Sequence, residues 1–170
     1  MQSGKFTLKW AIATFGGFLL SLLLIEIGEK SDIGVLQGAV GGLLVALPQA
    51  FVLRRRLKNP WLWVWSSLAG WVFVTTAGIG AVGWMVLSTQ VLGLRIVNGV
   101  ILGTIAGFSM GLAHWFAIQK HSPLALQWVL ISAVSWALGV GIGSIVGGLL
   151  YHLTQLFLSE VVGLAVTWLW

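Results

Sequence analysis

The sequence predicts an all-α integral membrane protein that crosses the bilayer about five times. Three observations predict it. Hydrophobic residues make up 58% of the 170, charged residues only 8%, and the mean hydropathy is +1.00; a soluble domain of this length carries far more charge on its surface. The apolar residues gather in runs that match a hydrocarbon core, which takes about 20 helical residues to cross. The basic residues sit between those runs and favour one side.

The expected crossings are Leu8–Ile27, Ile33–Leu53, Trp61–Leu87, Ile96–Ile118 and Leu124–Leu153. The third and fifth are overlong, so tilt or extension past the membrane surface is expected. Pro48 lies inside the second, where it removes one backbone hydrogen bond and should kink the helix near its cytoplasmic end. The final stretch, Leu156–Trp170, has 15 residues and contains Glu160. It is short for a sixth crossing and reads as an interfacial or partly inserted helix. The first run is long and lacks a small-residue cleavage site before the charged loop, so no cleavable signal peptide is expected.

Charge sets the expected orientation. Lys5 and Lys9 precede the first run, Arg54, Arg55, Arg56 and Lys58 follow the second, and Lys120 follows the fourth. Alternating topology puts these seven on one side and only Lys30 and Arg95 on the other, with every acid: Glu26, Glu29, Asp32 and Glu160. That asymmetry predicts a cytoplasmic N-terminus. The net charge of +5 is thereby explained without nucleic acid.

A shift of 65 residues superimposes the middle of the chain on its second half, with 14 identities over 57 aligned positions. They include Gly38, Gly42, Trp63, Ser67 and Trp71, matched by Gly103, Gly107, Trp128, Ser132 and Trp136. The match reads as a duplicated two-helix hairpin. Each unit holds two crossings, so the copies run parallel, related by an axis near the membrane normal rather than by inversion. The chain therefore divides into an N-terminal helix and acidic loop (1–32), a first hairpin (33–90), a second hairpin (91–155) and a short apolar helix (156–170).

Glycine falls in register at a spacing of four. Gly34, Gly38 and Gly42 share one face, as do Gly99, Gly103, Gly107 and Gly111, and Gly139, Gly143 and Gly147. Lipid supplies no hydrophobic force between helices, so such faces work by close backbone approach, dispersion and weak hydrogen bonds. They predict helix packing inside the chain. The alternative is a face for another subunit or a flat lipid or pigment ring, for which Gly99–Gly111 is the best docking candidate. The 11 Trp residues mostly cluster at run ends, as an aromatic belt does. Trp71 and Trp136 lie deeper and are expected to pack on glycine faces.

Candidate chemistry is sparse. The chain has no cysteine, which excludes disulfides, thiolate metal sites and thiol nucleophiles. No paired carboxylates, catalytic triad, phosphate loop or metal-ligand spacing is visible, so an enzyme is not expected. His114 is the one titratable side chain well inside a run, and its repeat partner is Gln49. Either could serve as an axial ligand to the central magnesium of a chlorophyll, and chlorophyll or a carotenoid is the cofactor to expect if there is one; the plainer expectation for His114 is an interfacial side chain bonded to a carbonyl or water. His121 and His152 lie at run ends. Arg54, Arg55, Arg56 and Lys58 suit anionic lipid head groups or an acidic partner.

A glycine ladder, a glutamine, an arginine pair and a Trp-rich opening closing on Gly-Trp recur here as Gly38–Gly42, Gln49, Arg54–Arg55, Trp61–Trp65 and Gly70–Trp71. This unit resembles a group of uncharacterised multi-pass proteins common in cyanobacteria and some other bacteria. The second copy departs from the pattern: His114 replaces Gln49, Gln119 and Lys120 replace the arginines, and Ser135 replaces Gly70. The resemblance implies no activity, only a thylakoid or plasma membrane and a photosynthetic setting. The leading expectation is a non-catalytic accessory or assembly subunit that docks on a larger membrane complex or self-associates. The competing one is a small oligomeric channel or carrier for a neutral or lipid-like solute, using Gln37, Gln49, Thr75, Thr76, Asn98 and Ser109, which lie scattered over several runs.

Overall fold

The structure is a computed structural model that describes residues 2–25, 34–78, 91–120 and 122–168. Among these residues every regular element is a helix: α1 (Gln2–Leu22), α2 (Val35–Leu53), α3 (Trp61–Thr76), α4 (Leu92–Ile118), α5 (Ala125–Thr154) and α6 (Leu158–Thr167). Three of them, α2, α4 and α5, are long and apolar enough to cross a membrane. Glu26, Glu29, Lys30 and Asp32, and with them Gly83, Trp84, Thr89, Gln90, His121 and Trp170, lie outside the described residues.

Local chemistry sets the helix ends. The Gln37 side chain accepts the Gly34 N–H at 3.0 Å, capping the start of α2. α2 runs unbroken through Pro48. α3 stops short of the expected Leu87: Gly78 adopts φ +68°, and its N–H together with that of Ala77 closes onto the carbonyls of Thr75 and Phe73. A left-handed glycine just past the last turn is a common helix stop. α5 ends on Gln155 at φ 56°, and the Thr154 hydroxyl bonds that of Ser159 at 2.7 Å across the reversal.

Consecutive helices pack on one another along the chain, α4 against α5 most extensively. Glycine is the reason. A Cβ on Gly103 would lie 2.7 Å from the Trp136 carbonyl oxygen, on Gly107 2.6 Å from that of Ser132, and on Gly111 2.8 Å from the Val129 Cα. The Gly99–Gly111 ladder is thus covered by α5, which leaves it no free face for another subunit. Gly38 and Gly42 face Thr75 and Trp71 of α3, whereas Gly34 is exposed with only the Gln37 side chain nearby. Gly17, which carried no expectation, brings α1 onto the α2 backbone at Leu44 and Val45.

The last helix folds back along α5. Gly147 meets Ser159 and Glu160, Gly143 meets Gly163, and Gly139 meets Thr167. α6 therefore lies within the bundle rather than on its rim, and it carries Trp168 to the centre, where the ring stacks on Phe18 at 5.3 Å and Trp71 at 5.8 Å. Glu160 is the other surprise. Expected at a water-facing end, it is buried and holds Arg95 of α4 through two bonds, Nη1–Oε1 at 2.7 Å and Nη2–Oε2 at 2.5 Å. Around the outside, large apolar side chains such as Leu36, Phe51, Phe116, Leu130 and Leu153 stand exposed, a surface that suits lipid and not water.

Candidate ligand-binding cavity

Inside the bundle is a cavity of about 430 Å³ to which all six helices contribute. Two tryptophan clusters frame it. On the side of the basic α2–α3 loop, Trp63 meets Trp10 edge to face at 5.5 Å and Trp128 at 5.7 Å, and Trp10 meets Trp128 at 5.9 Å. Deeper in, Trp71, Trp136 and Trp168 contact each other at 5.7 to 5.8 Å. Beyond that deeper cluster is a second pocket of about 40 Å³, which shares Gly42, Val45, Trp71 and Trp168 with the first.

A polar strip runs down the wall of the cavity. Gln49 donates through Nε2 to the Thr14 hydroxyl at 2.9 Å and accepts the Trp63 indole N–H at 3.1 Å. His114 places Nε2 2.8 Å from the Ser67 hydroxyl, its ring stacked on Trp63 at 3.8 Å and 11°. Its Nδ1 has no partner among the described residues, and neither has the Trp128 Nε1. Ser132, Ser135 and Thr167 add hydroxyls. Among the described residues no Asp, Glu, Lys or Arg lines the cavity. An apolar pocket of a few hundred Å³ with a few polar groups is the usual form of a small-molecule site.

The two candidate pigment ligands thus come together on one wall. Gln49 is hydrogen-bonded at both ends of its amide and the His114 Nε2 is taken by Ser67, which leaves Nδ1 as the imidazole nitrogen without a partner among the described residues. His114 is buried within the bundle, its Nε2 bonded to a hydroxyl rather than to a carbonyl. Of the six residues expected to line a path, only Gln49 reaches this cavity; Gln37 and Thr75 line the second pocket, and Ser109 lines a groove outside the bundle between α3 and α4. Arg54, Arg55, Arg56 and Lys58 are exposed, with the Arg54 and Arg56 guanidinium groups each 3.7 Å above a phenylalanine ring, Phe51 and Phe6. His152 is exposed at the end of α5.

No family model, curated protein or solved structure matches this chain. The cavity itself carries the functional argument.

α1 and α5 both line the cavity and meet through Trp10 and Trp128, but their backbones are not close-packed on each other. The lining residues Thr7 on α1 and Ile131 on α5 are exposed. The lining therefore reaches the surface of the bundle on α1 and on α5. Sequence reasoning missed Thr14, Ser67, Trp10 and Trp168 as lining. The repeat did flag Ser67 and Ser132 as equivalent, but no pattern indicated that both face the interior.

Proposed function

We propose that this protein is a membrane-embedded binding or carrier protein for a small, neutral, largely apolar molecule held in the central cavity. The observation that carries the reading is a cavity of about 430 Å³ lined by aromatic rings and hydroxyls, with no formal charge among the described residues; we take its α1–α5 side as the entrance, toward the apolar outer surface. A solute dissolved in lipid reaches such a site without crossing water. This favours the carrier alternative over docking, because the glycine faces that suggested a partner subunit are used within the chain.

The finer architecture belongs to the same proposal. Five crossings, with α6 as a returning half-helix, agree with the basic side chains at one end of the bundle and the Arg95–Glu160 pair at the other. Matching contacts support the duplicated hairpin: Gly42 meets Trp71 as Gly107 meets Trp136, and Gly38 meets Thr75 as Gly103 meets Val140, each 65 residues on. The N-terminus is then cytoplasmic, in a plasma or thylakoid membrane. An accessory-subunit role keeps one surface, the outer α3–α4 groove of about 570 Å³ lined by residues such as Trp65, Phe73 and Phe116.

Photolabelling in native membranes tests the binding reading. A small neutral diazirine should insert mainly into the segments 10–14 and 128–136, and excess unlabelled solute should suppress that insertion. Labelling spread over outward residues such as Leu153 and Phe116, with no saturation, would defeat it.

A further inference from the structure

Resting on the cavity reading above, we propose that the bound molecule carries an accepting oxygen, a carbonyl on a flat ring system, that receives the indole N–H of Trp128. The case comes from comparing two tryptophans at matching places. Trp63 follows Gln49 by 14 residues, and its Nε1 donates to that glutamine's oxygen at 3.1 Å. Trp128 follows His114 by the same interval. There the amide oxygen is replaced by an imidazole, and the imidazole is turned to Ser67. Trp128 has lost the acceptor that its counterpart keeps.

An indole nitrogen can only donate. The Trp128 Nε1 is buried, lacks a partner among the described residues, and belongs to a ring that lines the cavity. Leaving such a donor unmet in an apolar interior is costly, and a ligand oxygen removes that cost on binding. His114 adds Nδ1, a second unpaired nitrogen on the same wall. With no charged side chain among the described lining residues, an ionic ligand would find no counter-charge there. Trp10, Trp128, Trp136 and Trp168 offer ring faces and edges against which a planar molecule stacks.

Two tritiated probes, 1,4-naphthoquinone and naphthalene, share a ring skeleton and differ in the carbonyls. The chain has no cysteine for the quinone to alkylate. With the protein in lipid nanodiscs and empty discs as reference, the quinone should bind about fivefold or more tightly than the hydrocarbon after correction for partitioning, the effect of one neutral hydrogen bond. Its carbonyl stretch should move to lower frequency on binding. Trp128→Phe keeps an aromatic face and removes the N–H, so it should abolish the band shift and bring the quinone-to-naphthalene affinity ratio to about one, whatever it does to the affinity of both probes. Saturable binding of both probes with no preference and an unshifted band would overturn the carbonyl proposal and leave the cavity reading intact. Saturable binding of neither would overturn both. If Trp128→Phe does not fold, the band position in the unmodified protein decides.

Discussion

Replacing Glu160 with alanine removes the carboxylate that holds the buried Arg95 through two bonds and should release the last helix. Arg95 is 2% exposed and Glu160 5%, and the pair is bidentate, which is the stronger geometry. Hydrogen bonds to charged groups contribute about 1.5–3 kcal/mol each. Breaking a buried pair from one side costs about 3–5 kcal/mol, because the surviving charge stays buried without the carboxylate that faced it. That loss falls on α6, a helix of 10 residues held otherwise by glycine contacts and the Trp168 stack. An undocking equilibrium should rise by roughly two hundredfold or more. The absence of native cysteine allows a direct readout: Leu164→Cys places a thiol at a site 3% exposed, and its labelling rate in mild detergent follows the undocked fraction. Adding Glu160→Ala should raise that rate by about two orders of magnitude. The double change Arg95→Met with Glu160→Leu should restore slow labelling, since apolar replacement of a buried pair is often neutral or stabilising. A rate altered less than about threefold by Glu160→Ala would refute the reasoning.

Other expectations follow from the same contacts. Gly107→Leu drives a side chain into the Ser132 backbone and Trp136, and should lower stability in detergent unfolding by about 3 kcal/mol or more; Gly93→Ala, with nothing within 4 Å, should be neutral or stabilise by about 1 kcal/mol. In sealed vesicles of known orientation, single thiols at Arg55 and Lys120 should react with an impermeant maleimide on one side and a thiol at Gln155 on the other; Arg55 and Lys120 on opposite sides would contradict the five-crossing arrangement. Thiols at Thr7 and Ile131 joined by a short bis-maleimide should slow solute exchange at least tenfold, and unchanged exchange would rule out entry between α1 and α5.

The sequence conveyed the helical class and the close-contact faces because both are periodic. A spacing of four puts Gly99–Gly111 on one stripe whichever helix covers it, so the ladder was legible while its occupant was not. The end of α3 depends on one glycine, Gly78, inside an apolar stretch that hydropathy alone extends to Leu87. Glu160 looked water-facing because its partner lies 65 residues away, and no local pattern signals such a pairing. The cavity was the least legible feature. It is formed where six helices fail to fill a space, and its polar strip joins Thr14, Gln49, Ser67 and His114, which come from four different helices.

The most direct measurement counts neutral probe molecules per chain. With tritiated naphthalene in lipid nanodiscs, binding above that of empty discs should saturate at one molecule per protein. Ser135→Trp, which fills the cavity wall, should remove that component while helicity and melting remain close to those of the unaltered chain. Retention that rises linearly with probe, equal to empty discs and indifferent to Ser135→Trp, would contradict the account.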